Sequence, residues 1–174
     1  MDQVDRILAQ WRRERPDLEV QPMGLLGRLK RLHDRLSAGT GRVFAAHGLT
    51  PASFDVLATL RRAGPPHALT PSELIGWTMV TSGTMTHRLD RLAADGLIER
   101  RPNPEDGRGA LIVLTEKGFS LVDAVVTEHV ANQHALVAGL TPDERTALDS
   151  LLRTWLAALD APADRPAAST DKPS

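Results

Sequence analysis

LTPSELIGWTMVTSGTMTHRLDRLAADGLIERRPNPEDGRGALIVL, residues 69–114, holds the pattern on which the fold turns. Leu69-Thr70-Pro71 puts a hydroxyl at a helix N-cap and a proline at the first helical position, and Glu73 completes a reciprocal capping box with Thr70. The helix opened there is short, from Pro71 to about Trp77. A longer one runs from Thr81 to Asp95 and is stopped by Gly96. Beyond Gly96 the apolar period changes: Leu97 to Arg101 reads as a strand, Pro102 to Gly109 as a polar turn, and Ala110 to Leu114 as the returning strand. Short helix, brief turn, longer helix and hairpin, in that order, spell a helix-turn-helix followed by a wing.

Outward from this core the same signals recur. Leu-Thr-Pro stands again at 49–51 and 140–142, and Thr141 has its own capping-box partner in Glu144. Pro51 to about Arg62 is therefore a helix, closed by Gly64-Pro65-Pro66. Upstream, Val4, Ile7, Leu8 and Trp11 fall on one helical stripe, and Leu25, Leu29, Leu32 and Leu36 on a second that is expected to loosen around Gly39 and Gly41. Downstream, Thr115 caps a helix carrying Val122, Val125, Val126, Val130 and Val137, and the last helix carries Leu148, Leu152, Trp155 and Leu159. The stretch from Ala161, rich in Ala, Pro, Asp and Ser, has too little apolar content to fold and reads as a disordered tail. The expected organisation is N-terminal helices over 1–48, a winged lobe over 49–118, C-terminal helices over 119–160 and a tail over 161–174. The fold class is mainly α with a small β wing.

Composition narrows the function. With no cysteine there is no disulfide framework, thiolate zinc cluster, thiol nucleophile or cysteine-based oxidant sensor. No Gly-x-Ser-x-Gly, phosphate-binding glycine loop or His-Glu-x-x-His is present, so neither an enzyme nor a cofactor is expected. His129 and His134 share a helix, but a five-residue spacing turns them to different sides, so no metal site is expected. Tyrosine is absent, which disfavours a single-strand surface built from stacked aromatics. Basic and acidic side chains number 21 and 22, so a nucleic-acid partner has to be argued locally and not from bulk charge. No apolar run reaches the roughly 18 residues of a membrane span, and the acidic start is unlike a signal peptide. A cytoplasmic location and no membrane partner are expected.

The helix after the turn has two faces. Met85, Leu89 and Leu92 align toward the core, which leaves Gly83, His87 and Asp90 opposite, flanked by Thr84, Thr86 and Arg91, with Ser82 at the N-terminal end. Small polar groups with one basic side chain suit a major groove, so Ser82, Gly83, Thr84, Thr86, His87 and Arg91 are the candidate DNA contacts. At the hairpin tip Arg108 would enter a minor groove, with Asp106 orienting its guanidinium. Alone, each face also fits ordinary solvated surface. Its place between a capped short helix and a hairpin favours the DNA reading. Arg88 sits at the edge of the buried stripe, where a half-buried guanidinium wants an anion.

These residues carry a resemblance. Ser82 to Leu92, Asp95-Gly96-Leu97-Ile98-Glu99-Arg100, Asp106-Gly107-Arg108 and Leu114-Thr115-Glu116-Lys117-Gly118 are similar to the MarR family of bacterial regulators. The resemblance implies an interlocked helical homodimer, with two winged helix-turn-helix lobes on the double-stranded DNA of a pseudo-palindromic operator. At the wing the family often has Asp-Arg-Arg, whereas Gly107 stands here and Arg108 alone is basic.

The segment Ala9 to Leu18, with Phe54 to Ala63, further resembles the urate-responsive subgroup, which has an added N-terminal helix bearing a tryptophan. Carried over residue by residue, that resemblance assigns an anionic-purine site, or the relay from it, to Trp11, Asp55, Arg88 and Arg100. It implies a ligand-responsive repressor released from DNA by a small organic anion such as urate. Two alternatives stand beside it: a MarR-type regulator answering another phenolic or organic-acid ligand, and a winged-helix protein-interaction module that never touches DNA.

Overall fold

The computed structural model describes residues 1–78, 85–104 and 109–161. Its contacts divide the chain into two units, Met1–Leu136 and Val137–Ser174.

In the first unit α1 (Gln3–Glu14) precedes the long α2 (Gln21–Ala46). There follow α3 (Pro51–Arg62), a two-residue strand β1 (Ala68–Leu69), α4 (Pro71–Trp77), α5 (Met85–Ala94), β2 (Ile98–Pro102), β3 (Ala110–Leu114) and α6 (Glu116–Leu136). The expected caps are in place. The Thr50 hydroxyl accepts from the Ser53 N–H at 3.0 Å, and Thr70 and Glu73 form the reciprocal box. Each such cap contributes about 1 kcal/mol. Gly96, at φ +70°, ends α5 in the left-handed region that glycine enters without strain.

Two details differ from the sequence expectation. α2 does not loosen at Gly39 and Gly41 but runs unbroken for 26 residues. Gly39 lies where α6 comes close: a Cβ there would lie 2.9 Å from Leu136 Cδ2, so the glycine marks that approach and not a helix break. β1 was not foreseen. Ala68 and Leu69 pair antiparallel with Val113 and Ile112, giving a three-stranded sheet in the order β1-β3-β2. Two residues are too short to show a period-2 pattern, and β1 exists because β3 offers it an open edge.

Val56, Leu57 and Leu60 of α3 meet Met85 and Leu92 of α5, Ile112 of β3 and Val122 of α6 in one core. Burying each such side chain contributes roughly 1.5–3 kcal/mol. Beside this core Phe44 of α2 stacks on Phe54 of α3 at 4.3 Å between ring centroids, and His129 of α6 completes the cluster, 4.9 Å from Phe44 and 5.2 Å from Phe54. Burial lowers the pKa of His129 below its ordinary value, because its charged form is desolvated there. A histidine with a lowered folded pKa favours the native state most above the unfolded value of about 6.5, and that contribution is lost as pH falls through the lower folded value. Thermal melts from pH 7.5 to pH 5 are therefore expected to show a falling Tm, with a shallower slope in His129→Phe. Equal slopes in the two proteins would remove His129 from the account.

α1 packs on α2 through a separate small core of Val4, Leu8 and Val20. Gly24 makes room for it: a Cβ there would lie 2.7 Å from Leu8 Cδ1, whereas one at Gly27 would meet Val4 in ordinary contact at 3.6 Å. Asp2 caps α1, and Arg28 of α2 ion-pairs with both Asp2 and Asp5. The other half of the predicted apolar stripe, Ile7 and Trp11, remains 43% and 40% exposed.

The second unit is built on α7 (Pro142–Asp160), opened by the Thr141–Glu144 capping box. Leu151, Leu156 and Leu159 are exposed along it. Among the described residues no single helix is long and apolar enough to cross a membrane.

Candidate DNA-binding and ligand site

The buried stripe of α5 orients everything else on that helix. Met85, Leu89 and Leu92 retain 2%, 3% and 1% of their accessible surface, so the face half a turn away must look outward. Thr86, His87, Asp90 and Arg91 are all exposed there. Of the remaining candidate DNA contacts, Ser82, Gly83, Thr84 and Arg108 lie outside the described residues, as does Asp106, the proposed wing support. On either side of that tip, the Asn103 N–H donates to the Gly109 carbonyl at 3.0 Å and closes the hairpin base.

Arg100 lies on β2 and its Nη2 donates to Asp90 Oδ1 of α5 at 2.6 Å. The pair ties the outward face of α5 to the first strand of the wing. With both side chains about half exposed it contributes little to stability, and its value is positional.

Arg88 is half-buried, and its Nη1 is fully buried with no hydrogen-bond partner among the described residues. A buried guanidinium N–H left unpaired costs about 1–3 kcal/mol, so the position invites an acceptor. Asp55, on the second turn of α3, is mostly buried, and its Oδ1 lies 3.9 Å from Arg62 Nη1. Arg62 also reaches α4, where its Nη2 donates to the Trp77 carbonyl at 2.5 Å. Beside that carbonyl the Thr78 hydroxyl is buried with no hydrogen-bond partner among the described residues. Arg62 was missed in the sequence. The available signal was its spacing, seven residues or two helical turns after Asp55, which puts both on one face of α3.

Trp11 stands apart from this group in the chain. It borders a surface cleft of about 370 Å³ lined by Gln10, Arg13 and Glu14, all of α1. Of the four residues assigned by resemblance, Arg100 is joined to the DNA-facing side of α5, Asp55 to Arg62, and Trp11 to its own helix.

The MarR family pattern matches residues 47–109, from the end of α2 to the wing. The HTH-type transcriptional regulator PecS of Dickeya dadantii is 41% identical over 150 residues, covering 86% of this chain and 90% of PecS. The chain belongs to the MarR family. Among solved MarR-family structures, a mutant MarR of Escherichia coli in complex with operator DNA matches with a TM-score of 0.67 and 32% identity, over 79% of this chain and 95% of that one. Bordetella bronchiseptica BpsR, described by a mechanism for regulation of its DNA binding by 6-hydroxynicotinic acid, matches with a TM-score of 0.68 and 29% identity, over 80% of this chain and 96% of that one. The mainly helical architecture with its small antiparallel sheet is thus the MarR winged-helix fold, and the protein is a transcription regulator, not an enzyme.

Proposed function

We propose that this MarR-family protein is a repressor that binds a pseudo-palindromic operator as a homodimer and is released by a small organic anion, with urate the leading candidate. The observation that carries the ligand half is the buried Nη1 of Arg88, without a partner among the described residues, on the helix that presents Thr86, His87 and Arg91 outward. An anion accepting from Arg88 would be bound within the element that reads DNA. A ligand preferring a displaced setting of that helix then lowers operator affinity by the same coupling. Arg62 joins Trp11, Asp55, Arg88 and Arg100 in the proposed site, on the strength of its approach to Asp55. Arg100, held by Asp90, is the relay into the wing. The bacterial cytoplasm, where operators are found, is the expected location.

The relatives support this reading. PecS is named a transcriptional regulator, MarR was solved on its operator, and BpsR responds to an aromatic acid. Dimerisation is supported by apolar side chains that a lone chain leaves in water: Leu25 and Leu26 of α2 are 55% and 56% exposed, and Leu151 and Leu159 of α7 are 68% and 69% exposed. Two α5 helices would then address successive major grooves about 34 Å apart. The BpsR ligand makes a hydroxylated pyridine carboxylate the second candidate for the same site.

The test is fluorescence anisotropy of the duplex upstream of the protein's own gene, titrated at two salt concentrations with and without urate. Salt-sensitive binding released by urate is the expected result. Release by 6-hydroxynicotinic acid alone would reassign the ligand, and no binding at either salt would overturn the operator reading.

A further inference from the structure

We infer that Lys117 is a positioning residue that fixes the tilt of the DNA-reading helix α5, and through it the spacing between the two α5 helices of the proposed homodimer, a role that rests on the operator reading above but not on its ligand.

α5 ends at Ala94, and the three carbonyls that follow, of Asp95, Gly96 and Leu97, lie beyond its hydrogen-bond ladder. Each is taken up by the first turn of α6. Lys117 Nζ donates to the Asp95 carbonyl at 2.7 Å, the Thr115 hydroxyl to that of Gly96 at 2.8 Å, and the Thr115 N–H to that of Leu97 at 3.2 Å. The two Thr115 bonds fall on the turn and on the residue before β2, and of the three only the Lys117 bond reaches the residue that adjoins α5. Lys117 is the second residue of α6, where the N-terminal end of the helix dipole favours an acid such as Glu116 and opposes a cation. Its charge therefore does nothing for α6. At the C-terminal end of α5 the dipole has the opposite sign, and there the same ammonium is favoured. A side chain that is unfavourable in its own helix and favourable at the end of its neighbour is placed for the contact between them.

α6 carries that contact to the dimer face. Farther along it, Glu128 pairs with His47 at 3.0 Å and His129 packs on Phe44, both at the C-terminal end of α2, whose Leu25 and Leu26 are exposed for dimerisation. α5 is held on the core of the lobe by Met85, Leu89 and Leu92, a packing that resists separation but lets a helix rock about its middle. At ten residues α5 is about 15 Å long, so a shift of about 1 Å at Asp95 returns as a similar shift at Met85. The two-fold axis of a homodimer doubles it, against a groove spacing of about 34 Å. Lys117 is the stop against that rocking.

The experiment uses the full-length protein as wild type, Lys117→Met and Lys117→Arg. Lys117 is exposed, so both variants should keep a Tm close to that of wild type, which verifies that they are folded. Anisotropy is read on the duplex upstream of the protein's own gene, on the same duplex with one footprinted half-site scrambled, and on versions with a base pair added or removed between the halves. Lys117→Met should bind the intact operator roughly tenfold more weakly, a size within ordinary coupling between sites, yet match wild type on the single half-site. It should also lose the wild-type penalty for altered spacing. Lys117→Arg keeps the charge and should recover part of the affinity for the intact operator. Hydrogen–deuterium exchange over residues 91–97, without DNA, should be faster in Lys117→Met than in wild type. The role is overturned if Lys117→Met loses the same factor on intact and single-site duplexes, if it binds all of them as wild type does, or if exchange is equal in the two proteins. Failure of wild type to bind any duplex strikes the operator reading instead, and the exchange comparison still decides whether Lys117 holds the end of α5.

Discussion

Gly118→Ala should lower stability by about 3 kcal/mol or more, a fall in Tm of roughly 6–12 °C for a chain of this size. A Cβ at this position would lie 1.9 Å from the Leu97 carbonyl oxygen and 2.9 Å from its carbon. The obstacle is backbone, so no rotamer change relieves it. Nor is the backbone free to retreat. The Thr115 N–H donates to that Leu97 carbonyl at 3.2 Å, the Thr115 hydroxyl donates to the Gly96 carbonyl at 2.8 Å, and the Gly118 N–H donates to the same hydroxyl at 3.0 Å. The first turn of α6 is stitched to the start of β2, and any methyl group between them separates wing from core. Circular dichroism melts check this. A Tm within 2 °C of wild type would mean that α6 slides to make room.

Arg88→Met should weaken urate binding at least about 30-fold while leaving the Tm unchanged or higher. Truncating one partner of a buried charged hydrogen bond costs about 2 kcal/mol or more, which is that factor in affinity. The direction of the stability change separates a ligand role from a structural one. Arg88 Nη1 is buried with no acceptor among the described residues, so removing it deletes an unpaid desolvation and not a native contact. An arginine that braces the fold would instead lower the Tm when replaced. Titration calorimetry with urate, run beside the melt, reads both quantities on one preparation. Unchanged affinity would remove Arg88 from the site.

Much of this architecture could be read before the structure, and the reasons are local. Thr50, Thr70 and Thr141 announce their helices because a cap is chemistry within four residues, and Met85, Leu89 and Leu92 declare the buried face of α5 because helical spacing maps onto burial. What escaped was non-local. Gly39 looked like a weak point in α2 because the sequence around it does not contain Leu136, the neighbour that explains it. β1 depends on β3, more than forty residues later. The site divides along the same line. The half-burial of Arg88 followed from its angle on the helix, whereas the attachment of Arg62 to Trp77 and of Arg100 to Asp90 joins elements whose relative placement only tertiary structure supplies. Arg100 was carried over as part of a purine site or of the relay from it, and its partner Asp90 on α5 fits the relay.

The glycine beneath α1 also separates two tasks within one chain. A Cβ at Gly24 would lie 2.7 Å from Leu8 Cδ1, so bulk there presses on the leucine that anchors α1 to α2. Val4, Leu8 and Val20 form a core of their own, apart from the one that holds the winged lobe. The N-terminal helix can therefore loosen or tighten by its own packing while the lobe keeps its shape.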